Sequence, residues 1–192
     1  MIALAITGEP GVGKTTLLMR IIEFIKSEGI YVYGFYCPEV REMGRRIGFK
    51  IVNIATGAQG WLAIILEKAA ELGYGVRYMK RLGKYVIIEN EAERIGKESL
   101  MRQQEGVLAI DEIGPMELSI EGLRKAIIQA LYEATNILVV LHRNMRDPDI
   151  INALNKKGVQ IFRLTKLNRN KIYEEVLNNV RNEIAKAFKV RP

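Results

Sequence analysis

Gly8-Glu9-Pro10-Gly11-Val12-Gly13-Lys14-Thr15 fills every fixed position of the phosphate-binding G-x-x-x-x-G-K-[ST] loop, the Walker A motif. Its glycines let the backbone curl so that consecutive N–H groups point at phosphate oxygens. Lys14 has the length to reach the β- and γ-phosphates, and the Thr15 hydroxyl is a Mg²⁺ ligand. Upstream, Ile2-Ala3-Leu4-Ala5-Ile6 is a short apolar run suited to a buried parallel strand. Downstream, Thr16 to Lys26 reads as a helix. Strand, loop and helix come in the required order, and the free N–H groups of the helix start, Thr16 included, add to the anion site. The stretch Gly8 to Thr16 is therefore expected to bind a nucleoside triphosphate.

A second motif follows some ninety residues later. Gly106-Val107-Leu108-Ala109-Ile110-Asp111-Glu112 is an apolar strand ending in two carboxylates, the pattern of a Walker B strand. Asp111 is the expected partner of Thr15 in holding Mg²⁺, which takes few carboxylates and completes its shell with phosphate oxygens and water. A carboxylate directly after the metal-binding Asp can orient the water that attacks the γ-phosphate, so Glu112 and Lys14 are the expected catalytic residues, and hydrolysis is favoured over transfer. Gly114-Pro115 then turns the chain across the mouth of the site. Glu117 fits either a place behind the catalytic carboxylates or a charge at the start of the next helix.

Between these motifs, Tyr31, Tyr33 and Phe35 alternate on one face of a strand, Glu39 to Arg45 reads as a glycine-containing turn, and Arg46 to Ile54 returns as a second strand. Such a hairpin gathers Arg41, Arg45 and Arg46 at its tip. There they fit transition-state charge stabilisation in cis or from a neighbouring subunit, or else a solvated basic turn. His142, the single histidine, falls at the end of a strand and is a candidate γ-phosphate sensor, the alternative being a surface loop histidine. Lys166 and Asn168 follow the last strand and are candidates for contacting the base, with a helix cap as the other reading of Asn168.

The run Gly34 to Phe49, together with Gly83-Lys84-Tyr85-Val86, the segment Ile110 to Leu118 and Thr165-Lys166-Leu167-Asn168-Arg169-Asn170, resembles the thermophile-type nucleoside-triphosphatase family. These are small P-loop proteins whose human relative is called cancer-related nucleoside-triphosphatase. The resemblance implies a RecA-like α/β domain that hydrolyses ATP, GTP, CTP and UTP slowly, with Mg²⁺ and loose base preference. Gly8 to Thr15, Asp111 and Glu112 match by position. In Thr56-Gly57-Ala58-Gln59-Gly60 the chain departs from the family, carrying Gln59 where a basic residue is expected.

Further strands are expected near Tyr85–Ile88, Ile137–Leu141 and Val159–Leu164, with helices near Asn90–Gln104, Ile120–Glu133, Asp147–Lys157 and Lys171–Phe188. Trp61 to Leu72 reads as a short helix or a lid. The alternation predicts a mainly parallel sheet with helices on both faces and an added β-hairpin, one α/β domain over residues 1–192. Ligands of such a sheet bind at the C-terminal ends of its strands, where both motifs lie.

A single cysteine, Cys37, excludes an internal disulfide and any zinc spacing, and suits a reducing cytoplasm. The apolar run at the N-terminus stops at Ile6, and no stretch approaches ~20 apolar residues, so neither a signal peptide nor a membrane span is expected. The excess of glutamate over aspartate leans toward a thermophilic source. The formal charge of +7 suits polyanionic partners. Triphosphates are the expected partner; RNA is a second polyanion of the right sign, although no aromatic-interleaved RNA motif is present. A monomer is expected. The competing functions are a nucleotide or small-molecule kinase, which shares the loop, and a nucleotide-dependent switch that binds RNA or protein.

Overall fold

The apolar runs that flank the two motifs build the centre of the molecule. A computed structural model describes residues 1–188. In chain order its strands are β1 (Ala3–Gly8), β2 (Tyr31–Tyr36), β3 (Glu39–Glu42), β4 (Arg45–Asn53), β5 (Gln59–Ile65), β6 (Arg81–Leu82), β7 (Tyr85–Ile87), β8 (Gly106–Ile113), β9 (Asn136–Leu141) and β10 (Gln160–Leu164). Its helices are α1 (Lys14–Ser27), α2 (Leu66–Glu71), α3 (Glu89–Leu100), α4 (Pro115–Leu118), α5 (Glu121–Glu133), α6 (Pro148–Lys156) and α7 (Arg169–Phe188).

The strands form one mixed sheet in the order β10-β1-β9-β8-β2-β4-β5-β7-β6, with β3 paired to β4. From β10 to β2 all neighbours are parallel. β9, buried along its whole length, separates the loop strand β1 from the acid-bearing strand β8, which is the RecA-like arrangement. Alternation along each strand divides the core in two. Leu4, Ile6, Val107, Ala109, Leu138 and Val140 face α1 and α7, packing with Leu18, Ile21, Val176 and Val180. Ala5, Leu108, Ile110, Ile137 and Val139 face the other way, toward Ile95, Leu123, Ile127 and Ile150 of α3, α5 and α6. Among the described residues no helix is long and apolar enough to cross a membrane.

Beyond β2 the sheet turns antiparallel, and here the structure corrects three expectations. The added element is larger than a hairpin: β4, β5, β7 and β6 continue the sheet as an antiparallel wing, so the strand at Tyr85 is an antiparallel neighbour of β5 and not another parallel strand. Trp61 to Ile65 belongs to β5 and only Leu66–Glu71 is helical. The helical spacing of Leu62, Ile65, Leu66 and Ala69 misleads because β5 has a partner on each side and is mostly buried, so its interior residues need not alternate. Glu39 to Arg45 is likewise not all turn. Glu39–Glu42 pairs with β4, and the reversal is confined to Met43 and Gly44, both at positive φ.

Candidate active site

β1 delivers the phosphate loop at the C-terminal edge of the parallel half. A Cβ on Gly8 would meet the Leu164 carbonyl oxygen at 2.3 Å, so glycine is what lets β1 and β10 stay paired up to the loop. At the other end Gly13, in the left-handed region at φ 105, ends the loop as the residue preceding α1. Lys14 Nζ lies over the loop, donating to the carbonyls of Gly8 at 3.1 Å and Glu9 at 3.3 Å.

β8 brings its two carboxylates to the same place. Adjacent strand residues ordinarily point to opposite faces. The register between β8 and β9 shifts between Ile110 and Ile113, and both acids address the loop. Asp111 is 3 % exposed and hydrogen-bonds the Thr15 side chain. Glu112 Oε2 lies 3.5 Å from Lys14 Nζ, with its side chain half-open to solvent. Burial pushes the Asp111 carboxyl up to about 6; the Thr15 hydrogen bond and Lys14 pull it down, while the Glu112 charge pushes it further up.

Thr15 and Asp111 are hard oxygen donors of the kind Mg²⁺ takes. Among the described residues no group of three or more His, Cys, Asp or Glu side chains forms a cage, so a metal held here would share its shell with phosphate oxygens and water. A buried carboxylate whose own counter-charge is partial fits that ion.

Glu117 is buried behind these groups. Its Oε2 accepts from Gly114 N at 3.0 Å, capping the single turn α4. Burial, reinforced by the Glu112 and Asp111 charges, pushes it up to about 8. His142 stands beside it. A Cβ built on Gly114 would come within 3.2 to 3.5 Å of Glu117, Glu112 and His142 together. The His142 Nδ1 accepts from Asn144 N at 3.3 Å, which leaves Nε2 as the protonated nitrogen.

Other sequence candidates fall elsewhere. Arg41 and Arg46 both pair with Glu39, Arg41 also donates to Gly44 O at 2.7 Å, and the Arg46 guanidinium lies 5.5 Å from the centre of the Phe49 ring. With Arg45 they sit on β3 and β4, and β4 is four sheet positions from β1. At ~4.8 Å per strand that is about 19 Å of lateral offset, so the structure does not bring these arginines to the phosphate loop of their own chain. Asn168 is tied into the turn that precedes α7: its Oδ1 accepts from Thr165 N at 2.7 Å, its own N–H donates to Thr165 Oγ1 at 3.2 Å, and its Nδ2 donates to Arg163 O at 3.0 Å. Its polar atoms are thus spent, and Lys166 is an exposed neighbour in the same turn. Gln59 accepts from Lys50 Nζ at 3.2 Å in the antiparallel wing.

Two features escaped sequence reasoning. Arg143, at the end of β9, forms an ion pair with Glu9 in the phosphate loop; Thr7, Gly8, Glu9, Arg143 and Arg163 enclose a cavity of about 160 Å³. A larger cavity of about 470 Å³ opens between α1 and α7 beside the loop, lined by Gly13, Thr16, Arg20, Arg169, Asn170 and Tyr173 among others. Arg20 stands 5.0 Å from the Tyr173 ring centre. The one local signal was that Arg143 follows a strand end next to His142.

A family model described as NTPase matches residues 3–177. The nucleoside-triphosphatase THEP1 of Saccharolobus solfataricus is 42% identical over 176 residues, covering 91% of this chain and 90% of that protein. Its namesake from Sulfurisphaera tokodaii is 39% identical over 179 residues, 93% and 95% of the two chains. The solution structure of a human cancer-related nucleoside triphosphatase superposes with a TM-score of 0.75 at 33% identity, covering 95% of this chain and 98% of the other. The chain therefore belongs to the nucleoside-triphosphatase family.

Proposed function

We propose that the chain is an enzyme that hydrolyses nucleoside triphosphates to diphosphate and phosphate, working with Mg²⁺, slowly and with loose base preference, as one P-loop domain. The observation that carries this reading is the meeting of two motifs: Thr15 with Asp111, and Lys14 with Glu112 at 3.5 Å. The loop N–H groups and Lys14 bind and orient the β- and γ-phosphates, and Lys14 leaves its carbonyl partners for them. Thr15 and Asp111 would hold Mg²⁺, which supplies charge neutralisation on the phosphates. Glu112, half-open to solvent beside Lys14, accepts a hydrogen bond from a water and aims its oxygen at the γ-phosphorus. As that P–O bond forms, the bridging oxygen leaves with the β-phosphate, and the water proton passes to Glu112 and on to solvent.

The cavity between α1 and α7 lies where a nucleoside attached to those phosphates would extend. Its lining has the Tyr173 face and guanidinium planes, which pack against any base, and this supports loose base preference. Slow turnover fits Glu9 competing with the triphosphate for the Arg143 guanidinium.

The test is phosphate release from ATP, GTP, CTP and UTP with Mg²⁺, comparing the wild type with Glu112→Gln while checking nucleotide binding in both. Release from several triphosphates, falling at least ~10²-fold in the variant with binding retained, is expected. Tight binding without release, or transfer of the phosphoryl group to an added nucleoside or monophosphate, would overturn the hydrolase reading.

A further inference from the structure

The antiparallel wing carries a groove of about 1140 Å³, the largest of the cavities described, and the phosphate loop contributes nothing to it. One wall is the β3–β4 hairpin, with Arg41, Arg45 and Arg46. The other is the β6–β7 turn, with Arg81 and Lys84, both exposed. Ile47, Ile65 and Val86 form part of an apolar floor. Five cations thus face two acids, Glu42 and Glu67.

The cations differ in how far they are spent. Arg41 and Arg46 share Glu39. Arg45 and Arg81 have no ion pair among the described residues, and Lys84 has only the face of Tyr85, 5.4 Å away. Glu42 is held by Lys68 at 3.0 Å, whereas Glu67 pairs with nothing among the described residues. Unpaired cations on two facing walls, above a floor that cannot solvate them, form a trough for a chain of negative charge.

We propose that this groove binds single-stranded RNA through its phosphates, independently of base sequence. Sequence independence follows from the lining, which holds charged, glycine and aliphatic residues and no aromatic ring or side-chain amide, so the contacts run to phosphate rather than to base edges. RNA fits better than DNA because Glu67 stands among the cations. A carboxylate repels phosphate but accepts a hydrogen bond from a ribose 2′-hydroxyl, which only RNA supplies. An acidic peptide would meet the same cations but brings no ribose hydroxyl to Glu67.

The test uses the full chain and fluorescein-labelled U12 RNA, followed by anisotropy at 50 and 200 mM KCl. The wild type is expected to bind with marked salt sensitivity. The double variant R81E/K84E is expected to lose at least ~10-fold in affinity and about 1.4 in the slope of log K against log salt. A charge-matched control, K125E/K171E, carries the same reversal on the exposed faces of α5 and α7 and is expected to bind within about 2-fold of the wild type. ATP hydrolysis and thermal melting of R81E/K84E should match the wild type, which keeps this test separate from that of the hydrolase. Four results would overturn the proposal: no salt-sensitive binding, equal loss in the control, equal binding of dT12, or displacement of U12 by deca-glutamate as readily as by unlabelled RNA.

Discussion

Arg143 reaches from the end of β9 to form an ion pair with Glu9, the second residue of the phosphate loop. Both side chains are largely open to solvent, so the contact adds little stability. Its interest lies in where it holds a guanidinium, between the strands that supply the two motifs. A bound triphosphate offers more negative charge than Glu9 does, and Arg143 is the cation placed to move onto it. We expect Arg143→Ala to lower kcat by about 10–10³-fold while KM changes by less than about 3-fold, the pattern of a contact made mainly in the transition state. Glu9→Gln, which releases the guanidinium, should leave kcat unchanged or raise it. Steady-state phosphate release checks both; a rise in KM alone for Arg143→Ala would make it an ordinary phosphate-binding residue.

What could be read in the chain beforehand follows from how local each signal is. The loop from Gly8 to Thr15 and the acids after β8 carry their meaning within eight residues, and the apolar runs around them are buried on both faces as such runs should be. The wing was harder. Trp61 to Leu72 reads as a short helix or a lid from its spacing, and only the pairing of β5 with β4 on one side and β7 on the other makes its first residues a strand. Arg143 and Tyr173 were invisible for a different reason: each becomes part of the site through a partner more than 130 residues away in sequence, Glu9 and Arg20. The arginines of the hairpin show the reverse case. Their clustering in sequence is real, but Glu39, in the same hairpin, takes two of them.

Glu117 gives a pH-dependent prediction. Burial raises its carboxyl to about 8, so the folded, metal-free protein holds a proton that the unfolded chain releases near 4.3. The folded state then binds more protons, and stability falls as pH rises through the interval from about 4.3 to about 8. Glu117→Gln keeps an oxygen for the Gly114 N–H and removes the titration. Urea denaturation at pH 5 and pH 8 in EDTA should find the variant gaining at least about 1 kcal/mol relative to the wild type between the two. Parallel pH curves would mean that Glu117 titrates normally.

Asp147 should behave with the opposite sign. Its carboxylate caps α6 by accepting from Asp149 N at 3.0 Å and Ile150 N at 3.2 Å, and it takes a two-pronged contact from Arg124 at 2.7 and 3.0 Å. The Arg124 hydrogen bond holds its carboxyl below the usual range. The stabilisation is therefore complete above the unfolded value of about 3.9 and disappears as pH falls through the lower folded value. At pH 7, Asp147→Ala should cost about 1–2 kcal/mol, and the difference from the wild type should shrink at pH 3, as read from thermal melts. A pH-independent difference would assign the loss to packing.

Tyr173 tests the nucleoside side of the site. It projects from the first turns of α7 into the 470 Å³ cavity, where Arg20 of α1 lies 5.0 Å from its ring. The neighbouring residues Gly13 and Thr16 lie at the end of the phosphate loop and the start of α1, so this cavity adjoins the loop and shares no lining residue with the hairpin groove. A base packed against a ring gains ~1–3 kcal/mol whatever its identity, because every base presents a π-face. Tyr173→Ala should therefore raise KM for ATP, GTP, CTP and UTP together, by roughly 5- to 100-fold, with kcat little changed because the ring does not touch the reacting phosphate. Tyr173→Phe should retain most of the affinity, since the face and not the hydroxyl carries the contact. A loss confined to one nucleotide would mean that the cavity reads base edges, and Asn170 and Arg169, which share its lining, would then be the residues to vary next.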